Sequence, residues 1–218
     1  MFPPRVCAAV AAIALVAAPG LARAAPFSEH FDSGGAGWEP SGLWRVQDHP
    51  EAVTVSPAIG GILTSVPAGA SLPSAFDGTG AAWFGDPATG TYCAGYSPLR
   101  QHPSDGCRSD GPVQGVLTSP AFALPGPAAS VRFHAWWEIA AGDFEAADLM
   151  TVEYSVDGGV TWTEAQRLNP SGPPFGSLHQ PYTSGGLRAP GVWRAYSADL
   201  SPALGDPEVR IRFRFDSV

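Results

Sequence analysis

The stretch from Asp148 to Trp162, Asp-Leu-Met-Thr-Val-Glu-Tyr-Ser-Val-Asp-Gly-Gly-Val-Thr-Trp, constrains the fold most, because it writes two strands and the turn between them. Val152, Tyr154 and Val156 alternate with Thr151, Glu153 and Ser155, so one face of the first strand can be buried and the other wetted. Asp157-Gly158-Gly159 supplies the positive φ angles that a tight connection needs. Two other stretches carry the same period. Ser130 to Ile139 sets Val131, Phe133, Ala135 and Trp137 against Arg132, His134, Trp136 and Glu138, and Glu208 to Asp216 sets Val209, Ile211, Phe213 and Phe215 against Arg210, Arg212 and Arg214. Shorter alternating or apolar runs at Phe27 to Phe31, Trp38 to Val46, Ala81 to Phe84, Val116 to Pro120 and Val192 to Tyr196 bring the expectation to roughly nine or ten strands. No window carries a helical period. The class predicted is all-β, an antiparallel two-sheet β-sandwich with long loops at residues 48–78 and 169–190.

The N-terminus sets Arg5 before an apolar run from Val6 to Ala18, then Pro19-Gly20 and Ala22-Arg23-Ala24, the pattern of a secretory signal cut after Ala24. The apolar run is shorter than the ~20 residues a bilayer needs, so a membrane anchor is not expected. The predicted organisation is a signal peptide over residues 1–24 and one sandwich domain over residues 25–218, exported to the cell surface or medium. The chain stops at Val218, directly after a strong strand whose free edge would need a partner, so a C-terminal truncation is expected. Losing Arg5 and Arg23 takes the formal charge from -8 to about -10, which repels phosphates and argues against a nucleic-acid partner. Cys7 leaves with the signal. Cys93 and Cys107 then share a Gly/Pro/Ser-rich loop in an oxidising compartment, and a disulfide between them is expected to stabilise the fold by about 3 kcal/mol.

Taken in order, Phe27 to Phe31, Ala82-Trp-Phe-Gly85, Leu117-Thr-Ser-Pro120, Val131 to Trp137, Leu149 to Trp162, Trp193 and Val209 to Phe215 resemble the MAM-like jelly-roll domains of bacterial secreted proteins, which are similar in turn to concanavalin-like sandwiches. The resemblance covers almost all of the mature chain. It implies an adhesion or ligand-binding role and a structural calcium ion held by acids near the first and last strands. Carried onto this chain, Glu29 and Asp32 match the first-strand acids, with Asp86 and Asp148 as weaker additions. No contiguous calcium loop is present, so such a site would be assembled from distant segments. The closing Asp-Asp-hydrophobic strand of these domains is missing, and the jelly roll is expected without its last strand.

The octet Ser155-Val-Asp-Gly-Gly-Val-Thr-Trp162 also fits the Asp-box pattern of sialidase-like propellers, but it occurs once, and a propeller requires repeats. Glu138, Glu145, Asp148 and Glu153 are the carboxylates that a glycan hydrolase could draw on, and they lack the Glu-x-Asp-x-x-Glu spacing of concanavalin-like glucanases. Other nucleophile, zinc and phosphate motifs are missing. Trp136 and His134 share the polar face of their strand and are the predicted ligand contacts, because an exposed indole can stack on a sugar ring. The Arg210, Arg212, Arg214 stripe suits acidic glycans or, more simply, cross-strand pairing with acids such as Glu153. The function expected is a secreted, non-catalytic module that binds a glycan or a surface protein; the alternatives are a concanavalin-like glycan hydrolase and a structural accessory domain of a larger exported protein.

Overall fold

The structure, a computed structural model, describes residues 27–56, 67–92, 113–126, 129–139, 148–168, 182–187 and 189–217. The leader, Glu145, and Cys93 and Cys107 with the disulfide expected between them lie outside these residues. The described residues form the strands β1 (Glu39–Pro40), β2 (Trp44–Asp48), β3 (Gly80–Phe84), β4 (Gln114–Thr118), β5 (Ser130–Ala135), β6 (Glu138–Ile139), β7 (Leu149–Ser155), β8 (Thr163–Arg167), β9 (Tyr182–Thr183), β10 (Gly186–Leu187), β11 (Arg194–Asp199) and β12 (Arg210–Asp216), with two short 3-10 turns. The fold is an all-β sandwich. No helix among these residues is long and apolar enough to cross a membrane.

The largest sheet runs β1-β4-β12-β7-β8, and every neighbouring pair is antiparallel. β12 lies at its centre because its apolar alternation finds matching residues on both sides. Phe213 stands opposite Leu117 of β4 and Val152 of β7, and Ile211 stands opposite Tyr154. Packed against this sheet are the pairs β5–β11 and β2–β3, while β6, β9 and β10 form a further small sheet. Aromatic rings join the layers. Phe133 of β5 meets Phe213 edge-on at 5.0 Å, and Phe84 of β3 stacks on Phe215 at 4.5 Å. Leu117, Val152 and Ile211 are fully buried, and removing each side chain from water contributes about 1.5–3 kcal/mol.

Three expectations are corrected. Phe27 to Phe31 forms no strand: Phe31 has φ 63 and its carbonyl accepts from Gly34 N, so the chain turns there, and Phe27 instead stacks on Phe122 at 4.9 Å. The Ser130 to Ile139 strand divides at Trp136-Trp137, where the Trp137 amide and carbonyl bond to Ser184, carrying the chain from β11 across to β9. The polar face of β7 is not wetted. Thr151, Glu153 and Ser155 are as buried as Val152, because β7 is flanked by strands on both sides and the long side chains of β12 lie across it, while Val156 is exposed.

Candidate functional site

The two outward faces of the sandwich differ, beginning with the hairpin that joins β7 to β8. Ser155 Oγ donates to Asp157 Oδ1 at 2.7 Å and accepts from the Gly159 amide at 2.9 Å. Asp157 in turn accepts from the amides of Val160 and Thr161 at 3.0 and 2.9 Å and from the Thr161 hydroxyl at 2.5 Å. These donors favour the ionised form and hold the carboxyl well below the usual Asp range, with the Thr161 hydroxyl the largest cause. Gly158 and Gly159 supply φ 75 and 97, which no branched residue adopts cheaply. The Trp162 indole N–H donates to the Gly159 carbonyl at 2.9 Å and closes the turn. The octet is a self-contained hydrogen-bonded turn.

The arginine stripe is also satisfied from within. Arg212 faces Glu153 across the β12–β7 register and binds its carboxylate at 2.5 Å, with the guanidinium 4.2 Å above the Trp162 ring. Arg214 reaches Glu153 at 3.9 Å and Asp216 at 2.6 Å, and Arg210 lies 3.5 Å from Glu39. The Thr151 hydroxyl donates to Glu153 as well. This is the cross-strand pairing that the alternation predicts, and it leaves Glu153 as a buried salt-bridge partner.

The outer face of β5–β11 is built differently. His134, on the outward register of β5 opposite Ala195, stacks on Phe76 with ring centroids 3.5 Å apart and planes within 10°. Trp193, just before β11, meets the Phe76 ring edge-on at 6.0 Å. Phe76 arrives on a loop that is tied at both ends. Trp193 Nε1 donates to the Ser74 carbonyl at 3.2 Å, and beyond the ring the Thr79 and Gly80 amides donate to Asp32 Oδ1 at 2.7 and 3.0 Å. Asp77 also lies 3.4 Å from His30. Despite these ties Phe76 is 52% exposed, and Val192 beside Trp193 is 46% exposed. An aromatic patch assembled from three segments thus faces solvent.

Of the two predicted ligand contacts, His134 belongs to this patch. Trp136 is half-buried with its indole against Gly191, so close that a Cβ there would fall 2.4 Å from Nε1. Phe76 and Trp193 were not singled out as ligand contacts from sequence. Their signal was available only as a lone Phe within turn residues, Ser74-Ala-Phe-Asp-Gly, and as a Trp following a Val.

The four acids proposed for calcium each serve a nearby donor. Glu29 accepts from the Phe31 amide, Asp32 from Thr79 and Gly80, Asp86 from the Ala88 amide, and the buried Asp148 from the Tyr92 hydroxyl at 2.5 Å. The two amides, Thr79 first, keep the Asp32 carboxyl below its ordinary range. Among the described residues no three His, Cys, Asp or Glu side chains gather into a cluster, so these four acids are not brought together there.

No family matches the sequence, and no curated protein matches it. Among solved structures the chain is similar to the K2 cleaved adhesin domain of Lys-gingipain, at a TM-score of 0.39 and 13% identity over 88% of this chain and 94% of that one. The MAM-like and concanavalin-like assignment therefore rests on the ordered motifs alone.

Proposed function

We propose that this chain is a secreted, non-catalytic β-sandwich module that binds a glycan or a surface protein through the outer face of β5 and β11. The observation that carries the reading is the ring stack of Phe76 on His134 beside Trp193, exposed on a loop anchored at both ends. Phe76 is tied in place yet exposed, and a fixed, exposed aromatic surface is suited to a ligand. The opposite outer face, with its charges paired internally, offers a ligand much less. Glu153, a carboxylate on which hydrolysis could draw, is held by Arg212 and Arg214, which supports a binding role over acid-base chemistry. The leader pattern at residues 1–24 supports export.

The test is binding of the labelled mature protein to whole cells, compared with a Phe76→Ala/Trp193→Ala double variant. Loss of binding with an unchanged circular-dichroism spectrum is expected, and undiminished binding would move the site elsewhere. Incubation with soluble glycans is expected to release no reducing ends; release that disappears in Glu153→Gln would replace this reading with a hydrolase.

A further inference from the structure

The geometry points to a glycan as the occupant of this patch, with one pyranose ring lying on the exposed surface of Phe76, whose ring His134 backs and Trp193 meets. This rests on the reading of the chain as a binding module and names what the module binds.

Three observations carry it. The first is shape. One face of the Phe76 ring is covered by the parallel imidazole at 3.5 Å, yet Phe76 remains 52% exposed. A single flat ring face, negative at its centre, matches the weakly positive axial C–H groups of a pyranose. The second is composition. Phe76, His134 and Trp193 come from three separate segments and meet ring to ring, an aromatic platform of the kind on which a sugar can stack. The third is rigidity. Ser74 is held by the Trp193 indole and Thr79 and Gly80 are held by Asp32, so the ring is fixed before a ligand arrives and little ordering entropy remains to be lost. Polar groups flank the platform as hydroxyl recognition needs: Asp77 follows Phe76 and is 71% exposed, and the exposed Arg132 lies two residues from His134 on the same register of β5. A nucleobase would use the same stacking, but the formal charge of -8 opposes its phosphates.

The experiment is affinity electrophoresis of the full mature chain in native gels containing laminarin, xylan, mannan or hyaluronan, run beside binding to whole cells treated with periodate or with protease. Retardation by at least one polysaccharide is expected, about tenfold weaker or more in Phe76→Ala and kept in Phe76→Trp, which preserves a ring face. His134→Ala should weaken retention and His134→Phe restore it, since a flat backing ring is what the platform requires. Melting curves of each variant establish that the fold is intact. Retardation by none of the four polysaccharides, or retardation indifferent to Phe76→Ala, overturns the glycan assignment. Cell binding abolished by protease, untouched by periodate and still dependent on Phe76 overturns the glycan but leaves the binding module standing. Absence of both polysaccharide retention and cell binding overturns both.

Discussion

The outer face of β12–β7 and the outer face of β5–β11 read alike in sequence, each an alternation of apolar residues with charged or aromatic ones, yet they end in opposite states. On the first, Arg212, Arg214, Glu153, Asp216 and Trp162 consume one another's hydrogen bonds, charges and ring faces. On the second, His134 is met by Phe76 from a distant loop, and the pair leaves ring surface in solvent. The difference lies in stoichiometry. Three arginines on β12 find acids within reach on their own strand, on the neighbouring β7 and on β1 beyond β4, so the charges close on themselves, whereas Phe76 stays exposed. A conspicuous charge stripe is thus the structural face, and a less conspicuous aromatic pair is the one available to a ligand.

The sharpest way to break this contrast is to remove the acid at the centre of the closed face. Glu153→Ala should destabilise the fold by about 2–3 kcal/mol in urea unfolding, toward the low end for a broken buried pair because Arg212 and Arg214 keep some access to water. Replacing Glu153 and Arg212 together by Leu and Met should recover most of that loss, since the apolar pair leaves no stranded charge. A loss below about 0.5 kcal/mol for Glu153→Ala would mean that the face is merely decorated with exposed ion pairs.

A smaller effect separates the turn from the rest of the closed face by pH. The Asp157 carboxyl is held below its ordinary range by Thr161, Ser155 and Val160, so the unfolded chain takes up a proton there before the folded one does. Its contribution to stability is therefore complete above the ordinary Asp range and lost as pH falls through and below it. In Asp157→Asn this contribution is absent, and the fall in melting midpoint between about pH 6 and about pH 3 should be shallower than in the parent chain. Equal slopes would show that the turn's hydrogen bonds do not depend on the charge.

How much of this was legible in the residues follows from the range of each interaction. The hairpin, the inward side of β12 and the Arg212–Glu153 pairing were legible, because period-2 alternation fixes which residues share a face and which charges can meet across a register. The burial of Thr151 and Ser155 was not, since alternation cannot tell a central strand from an edge one. Phe76 was missed because the contacts that give it meaning, His134 and Trp193, are far along the chain, and residues 48–78 show no period to announce them. Phe27 to Phe31 was misjudged for the opposite reason. Five alternating residues ahead of Asp-Ser-Gly-Gly are too few to outweigh the turn, and Asp32, a candidate ion ligand by position, caps the loop that carries Phe76.

On the open face, stability should hardly respond. Phe76→Ala is expected to cost less than about 1 kcal/mol, because Phe76 is already 52% exposed, while the same change weakens ligand retention about tenfold or more. A loss of several kcal/mol would make the ring part of the core and abolish the contrast.

The smallest expected effect is that of calcium. A metal bound only by the native state must raise the melting midpoint, by an amount that grows with its concentration over Kd. Glu29, Asp32, Asp86 and Asp148 each already give at least one carboxylate oxygen to an amide or a hydroxyl, and no three acids converge among the described residues. Calcium takes six to eight oxygens at about 2.3–2.6 Å, and no three of these acids stand together to supply them. Midpoints measured with millimolar calcium and with chelator should coincide, and they should coincide in Asp32→Asn as well. A rise of several degrees with calcium, absent in Asp32→Asn, would mean that Asp32 holds an ion beside its backbone donors, placing a metal at the root of the Phe76 loop and linking the presentation of the aromatic face to calcium.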